Sequence, residues 1–204
     1  MISTIIFDLG NVLVEVERKR LVDNFKRQLN NHFNFEELTS QLRVSPAIKH
    51  YELGEINSDQ FYQAFSQELH LKIDISVMKR CWQDIFKAIP ETISLLPILK
   101  MKYKLAMISD TNPWHTEIIE EENAIFNYFN ELIFSYEVHA AKPDPQIFNI
   151  ALARLHSPAA SCVYIDDLEA NVAAAKKLGM HGVLYNNPSD LKRDLQALDI
   201  TLNP

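Results

Sequence analysis

Residues 4–11 read TIIFDLGN, an apolar run, Ile5-Ile6-Phe7, that stops on Asp8 and turns at once through Gly10. Three further stretches share this grammar: Leu105 to Ile108 before Ser109, Leu132 to Phe134 before Ser135, and Cys162 to Ile165 before Asp166. Each is strand-like, ends in a polar residue and is followed by a turn or helix start. A fifth run, Gly182 to Tyr185, comes after the last Ala-rich helical stretch. Strands separated by helical segments predict parallel βαβ units, and such sheets bind ligands beyond the carboxyl ends of their strands. The polar residues that close the runs lie at that edge.

The helix signals between the strands agree. Asn112-Pro113 and Asp144-Pro145 each set an N-capping residue before a proline at the first helical position. Leu168 to Leu178 is Ala-rich, and Gly179 follows where a left-handed stop is expected. From about residue 17 to about residue 90 the pattern changes. No strand is evident there, and apolar residues recur at helical spacing, as in Leu21 and Phe25 or Phe61, Phe65 and Leu69, with Ser58 placed to cap the latter helix. The expected fold is an α/β, doubly wound, Rossmann-like parallel sheet built from residues 1–16 and 91–204, interrupted by a helical bundle over 17–90. Phe61, Phe65, Trp82 and Phe86 read as that bundle's core.

Composition bounds the function. The 204 residues carry a net charge of −7, which disfavours nucleic acid and anionic membrane as partners. The basic triplet Arg18-Lys19-Arg20 reads as a solvated helix face. No apolar stretch approaches the roughly 20 residues needed to cross a bilayer. The N-terminal run is short, lacks a basic prefix and meets Asp8, so the expected compartment is the cytoplasm. Cys81 and Cys162 are far apart, as buried thiols in a reducing compartment would be. The expected assembly is a monomer or homodimer.

A carboxylate at the end of a central strand, as Asp8 is placed, can attack phosphorus and split a slow hydrolysis into two easier steps. Bringing it beside a phosphate dianion needs positive charge and oriented donors. Asp166-Asp167 sets adjacent carboxylates after a buried strand, an arrangement suited to hard, oxygen-seeking Mg²⁺. Lys142 can offset remaining charge and bond phosphate oxygen, and Ser109 can donate its hydroxyl. Singly, Asp166 and Asn171 read as helix-start residues and Ser109 as a turn hydroxyl. His115, one turn past Ser109, is the histidine placed to reach a phosphate or substrate hydroxyl.

Taken in order, FDLGNVLVEVE, MISDTN, AAKPDPQIF and YIDDLEANV resemble the four motifs of the haloacid dehalogenase-like superfamily. The helical insert after the first motif resembles phosphatases with a helical cap, and DLGNVL with YELGEI is similar to sugar-phosphate phosphatases acting on compounds such as glucose 1-phosphate. The resemblance implies an α/β core under a mobile cap and a small phosphorylated metabolite as substrate. It implies Asp8 as nucleophile, with Asp8, the Gly10 carbonyl and Asp167 holding magnesium and Asp166 supporting them as an inner- or outer-shell group. Ser109 and Lys142 would hold the phosphate, with Asn11 and Asp110 at the substrate. Tyr51, Glu52, Leu53 and Gly54 are the cap residues expected to set specificity.

The sequence departs from the pattern at one chemically important place. Two residues after the nucleophile such phosphatases usually carry a second aspartate, the general acid that protonates the leaving oxygen; here Gly10 stands there. That predicts a slower enzyme, a substituted proton donor or a good leaving group such as a glycosyl oxygen. His139 replaces a common glycine, Leu53 a common arginine and Asp110 a common asparagine. A 2-haloacid dehalogenase, which also lacks the second aspartate, is the alternative enzyme. A non-catalytic regulatory or interaction module is the alternative class.

Overall fold

Thr4–Phe7 form strand β1 with all four residues buried, the pattern of a strand covered on both faces. Around it, among the described residues, lies a five-stranded parallel sheet. A computed structural model describes residues 1–29 and 35–202. Residues 30–34, within the expected helical insert, and 203–204, at the end of the expected core segment, lie outside the described residues.

In chain order the elements are β1, β2 (Val14–Val16), α1 (Arg18–Gln28), α2 (Phe35–Val44), α3 (Pro46–Glu52), α4 (Ser58–Glu68), α5 (Ile75–Gln83) and β3 (Phe86–Ala88). There follow α6 (Pro90–Ile93), α7 (Leu96–Lys100), β4 (Lys104–Ser109), α8 (Pro113–Asn123), β5 (Glu131–Phe134), α9 (Ser135–Val138) and α10 (Pro145–Leu155). The chain closes with β6 (Cys162–Asp166), α11 (Glu169–Lys177), β7 (His181–Leu184) and α12 (Pro188–Ala197). The sheet order is β5-β4-β1-β6-β7, so β1 is central and the chain winds first to one side and then to the other. The carboxyl ends of β1, β4 and β6 are thereby adjacent, the crevice where open α/β sheets hold ligands.

Side-chain alternation along β1 builds the two layers. Ile5 and Phe7 pack with Leu105, Met107, Val163 and Ile165 against Leu96, Ile119 and Leu195 on one face. Ile6 packs with Ile108 and Tyr164 against Ile147, Phe148 and Ala175 on the other. Asn112 and Asp144 cap α8 and α10 by accepting the His115 and Gln146 N–H groups, with proline at the first helical position in each. Gly179 adopts φ +91° beyond α11, a left-handed conformation that side-chain-bearing residues avoid.

The stretch from α1 to α5 gathers its own apolar cluster, including Leu21, Phe25, Tyr51, Phe61, Phe65, Met78 and Trp82. Two readings of this stretch are corrected. It contains a strand, β3, which pairs antiparallel with β2 through Val14↔Ala88 and Val16↔Phe86. Strands of three residues are too short to show a period, and this ribbon ties together the two places where the chain passes between sheet and helices. Phe86 therefore lies on a strand, half-buried, and packs against both the helical cluster and the sheet's core. The cap of α4 is Asn57, which forms a reciprocal capping box with Gln60, while the Ser58 hydroxyl instead meets Tyr51 Oη at 2.7 Å. No described helix is long and apolar enough to cross a membrane.

The two parts share side chains. Trp114, in the first turn of α8, is 5% exposed and packs inside the helical cluster, edge-on to Phe61 at 5.4 Å and to Tyr51 at 5.8 Å. Gln83 donates to the Trp114 carbonyl, and Lys79 pairs with Glu117. Trp114→Ala is therefore expected to destabilise the protein by about 3–5 kcal/mol, the usual range for emptying a buried tryptophan site. Denaturant unfolding checks this, and a loss under about 1 kcal/mol would show that Trp114 does not join the two clusters.

Candidate active site

Asp8 follows β1 directly, and its N–H donates to the Ile165 carbonyl of β6 at 2.8 Å, which fixes it between the two neighbouring strands. The Lys142 ammonium reaches it at 2.7 Å and reaches Asp166 at 2.9 Å, with all three side chains almost fully buried. Asp166 is saturated with partners: the Leu168 N–H at 2.8 Å, both oxygens within reach of the Asn171 amide, Lys142, and the Tyr164 hydroxyl. Its oxygens are thus already committed to aiming Lys142 and starting α11. Tyr164 and Asn171 were not legible as site residues. Tyr164 reads as a strand residue and Asn171 as a helix start, and only the fold brings both onto one carboxylate.

Burial raises the Asp8 carboxyl from 3.8 to about 7, with Lys142 opposing and Asp166 adding to the rise. Burial alone would lower Lys142, but attraction to Asp8, Asp166 and Asp110 outweighs it, so the ammonium stays protonated. One ammonium faces several carboxylates, an excess of negative charge that a bound cation would balance. Ligand oxygens of Asp8, Asp166 and Asp167 lie within 4.8 Å of one another, a set of hard oxygen donors that fits Mg²⁺.

Asn11 sits in the left-handed region, φ +54°, which asparagine tolerates better than most residues. Its amide donates to Asp167 at 3.0 Å and its carbonyl oxygen accepts the Val16 N–H. The residue expected at the substrate is thus turned toward Asp167, orienting that carboxylate. Gly10 lies in the same turn, and a side chain added there would meet Val16 at 3.3 Å, close but not prohibitive.

Ser109 is buried at the end of β4, beside the end of β1. Asp110 does face the site: its carboxylate accepts the Lys142 backbone N–H at 3.0 Å, tying the loop after β4 to the lysine segment. The next residue, Thr111, donates its N–H to Ser135 Oγ at 2.9 Å, and Ser135 donates to the Glu52 carbonyl at 2.6 Å. The end of α3 is therefore fastened to the sheet. His139, at φ +53°, occupies the left-handed position that glycine would fill without strain, and its Nδ1 donates to the Leu53 carbonyl at 2.7 Å. Gly54, at φ +67°, presses so closely on Tyr136 that a Cβ there would fall 1.9 Å from the Tyr136 carbonyl oxygen. Of the four specificity candidates, Tyr51 is fully buried and supports the Trp114 N–H, while Glu52 is half-buried with its carboxyl near Asp110 and Arg18.

His115 does not reach toward phosphate. Its ring turns into the seam between sheet and helical cluster, stacked on Trp82 at 5.8 Å and edge-on to Phe86 at 4.8 Å, with Nδ1 3.0 Å from the Asn112 amide. The one-turn spacing from Ser109 was sound, but the apolar surroundings of α8 turn the ring the other way.

A family model for haloacid dehalogenase-like hydrolases matches residues 2–179. The chain is 22% identical over 205 residues to the D-ribitol-5-phosphate phosphatase of Bacteroides thetaiotaomicron, spanning 97% of this chain and 98% of that one. Among solved structures, a HAD family enzyme from Bacteroides thetaiotaomicron in complex with magnesium and inorganic phosphate superposes with a TM-score of 0.83 at 23% identity, over 92% of this chain and 96% of that one. A 2-haloacid dehalogenase from Pseudomonas syringae superposes with a TM-score of 0.64 at 21% identity, over 97% and 100% of the two chains. A dehalogenase and a phosphate-bound enzyme share this fold, so the choice of reaction rests on the site.

The buried imidazole has a consequence for stability. Burial pushes His115 from 6.5 down to about 3, against a small opposing pull from the Trp82 backbone. Below pH 6.5 the unfolded chain takes up a proton that the folded chain refuses, so stability falls as the pH falls toward 3. Between pH 7 and pH 5 this group is expected to remove up to roughly 2 kcal/mol. Urea unfolding at both pH values should show a shallower pH dependence for His115→Phe than for the unaltered protein. Identical slopes would mean that His115 takes up its proton in the folded state as readily as in the unfolded chain.

Proposed function

The chain belongs to the haloacid dehalogenase-like hydrolases, and on that basis we propose that it is a magnesium-dependent phosphatase of a small phosphorylated metabolite, a sugar phosphate. The observation that carries this reading is the buried Lys142 ammonium between Asp8 and Asp166, with Asp167 beside them. A dianionic phosphate needs such an ammonium and a cation together. A haloacid, itself a carboxylate, would meet uncompensated carboxylates around the nucleophile. The similarity to D-ribitol-5-phosphate phosphatase along nearly the whole chain supports a polyol or sugar phosphate as the substrate class.

The chemistry follows from the positions. Lys142 and the Ser109 hydroxyl donate to the phosphate oxygens and hold phosphorus in front of Asp8. An Asp8 oxygen attacks, the bond from phosphorus to the leaving oxygen breaks, and an aspartyl-phosphate remains for water to hydrolyse. Asp8, Asp167 and the Gly10 carbonyl would hold magnesium, which supplies charge neutralisation between carboxylate and phosphate. Asn11 keeps Asp167 turned toward that place, and Asp166 keeps Lys142 aimed at Asp8.

Phosphate release from a panel of sugar and polyol phosphates, measured with and without Mg²⁺, tests the proposal. Release is expected to require the metal and to vanish in Asp8→Asn, which keeps the shape of the side chain but removes its nucleophilic charge. Halide release from 2-haloacids with no phosphate release from any phosphate ester would assign the chain to the dehalogenase reaction instead.

A further inference from the structure

With glycine at position 10, the first turn offers no side chain to protonate the leaving oxygen. The carboxylates nearest the nucleophile are already engaged: Asp166 by Lys142, Tyr164, Leu168 and Asn171, Asp167 by Asn11, and Asp110 by the Lys142 N–H. A further carboxyl enters from the helical insert. Glu52 ends α3, and the backbone around it is anchored to the sheet at three successive residues. Its own carbonyl accepts from Ser135 at 2.6 Å, the Leu53 carbonyl accepts from His139 at 2.7 Å, and Gly54 lies against the Tyr136 carbonyl. The Ser135 hydroxyl that holds Glu52 also holds Thr111, two residues beyond Ser109. These bonds set the backbone of residue 52 beside Thr111, in the loop after β4 that also carries Asp110.

We propose that Glu52 is the general acid and base of this enzyme, supplied by the insert in place of the carboxylate missing at position 10. This rests on the phosphatase reading above. In the first step an Asp8 oxygen forms its bond to phosphorus, the bond from phosphorus to the leaving oxygen breaks, and the Glu52 proton passes to that oxygen, leaving the free alcohol. In the second step the Glu52 carboxylate takes a proton from water as its oxygen attacks the aspartyl-phosphate. That returns Asp8 as carboxylate, releases phosphate and restores the Glu52 proton.

The charged groups that act electrostatically on the Glu52 carboxyl are Asp110, from the loop after β4, and Arg18, in the first turn of α1. Burial raises its carboxyl from 4.5 to about 7, Asp110 adds to the rise and Arg18 opposes it. A carboxyl poised there holds its proton at neutral pH for a substantial fraction of the time and can also accept one, which both steps require.

The test compares the unaltered enzyme with Glu52→Gln in Mg²⁺ on phosphates whose leaving groups carry no other hydroxyl: 4-nitrophenyl, phenyl and benzyl phosphate. Because the anchoring bonds use the backbone of residue 52, the variant should unfold at the same denaturant concentration as the parent. Its kcat/KM is expected to fall about 10²–10⁴-fold on benzyl phosphate, whose alkoxide needs a proton, and less than about fivefold on 4-nitrophenyl phosphate, whose phenolate does not. The parent's kcat/KM on benzyl phosphate should decline above about pH 7, and that decline should be absent from the variant. An equal loss on both substrates would make Glu52 a binding or structural residue and overturn the proposal, as would no loss on either. Failure of the unaltered enzyme to release phosphate from any member of the panel would overturn the phosphatase reading and this proposal with it.

Discussion

A buried ammonium organises this molecule. Lys142 Nζ lies 2.7 Å from Asp8 and 2.9 Å from Asp166, with the three side chains at 4%, 10% and 0% exposure. Removing such charges from water costs several kcal/mol per ion, so the arrangement persists only where each ion finds close partners. The fold meets that condition by setting β1 next to β6 and β4, and by running the segment before α10 back over their carboxyl ends. Tyr164, the Leu168 N–H and Asn171 then saturate Asp166, while Asp8, at the rim, keeps capacity to spare. A pair that is complete on one side and open on the other holds a lysine rigid while leaving the Asp8 carboxylate free to take a further partner.

The helical insert is joined to the sheet more intimately than a lid on two linkers. Trp114 belongs by sequence to α8 and by packing to the insert's aromatic cluster. The β2–β3 ribbon pairs the outgoing and returning strands, and residues 52–54 meet residues 135, 136 and 139. Swinging the whole insert away from the sheet would expose a buried tryptophan and break these bonds together. A motion that admits substrate is less costly if it spares Trp114 and parts only the polar contacts at the end of α3, where each hydrogen bond contributes about 1 kcal/mol net.

The sheet was legible because its information is local. Each apolar run, its closing polar residue and the proline-marked helix start after it lie within about ten residues of one another, and the periodicity and capping rules operate at that range. Asp8, Ser109, Asp166 and Asp167 could be picked out as neighbours because strand ends in a parallel sheet converge by topology, whereas Lys142 arrives from the segment before α10. What could not be read depends on direction rather than position. Asn11 bonds Asp167, His115 stacks on Trp82, and Tyr164 and Asn171 gain their roles only from meeting one carboxylate across the fold. The β2–β3 ribbon escaped because three residues carry no period. His139 is instructive in between: a departure from glycine visible in the sequence, it marks a left-handed turn, and its imidazole repays the strain with a bond to the insert.

Gly10 and Glu52 connect these themes. When the proton donor sits two residues after the nucleophile, the sheet alone holds both halves of the reaction, and the insert has only to exclude water. With the donor on α3, as proposed, chemistry and docking of the insert would become one event, because Ser135 and His139 hold the backbone of residues 52 and 53 against the sheet domain. An undocked insert leaves the nucleophile and Lys142 intact but without a proton to give, so hydrolysis of poor leaving groups is suppressed until substrate and insert are both seated. Such coupling gives specificity at the expense of some rate, since part of the substrate's binding energy is used to hold the insert closed. On the proposal that Glu52 supplies the acid, the glycine in the first turn marks its transfer from the sheet to the insert.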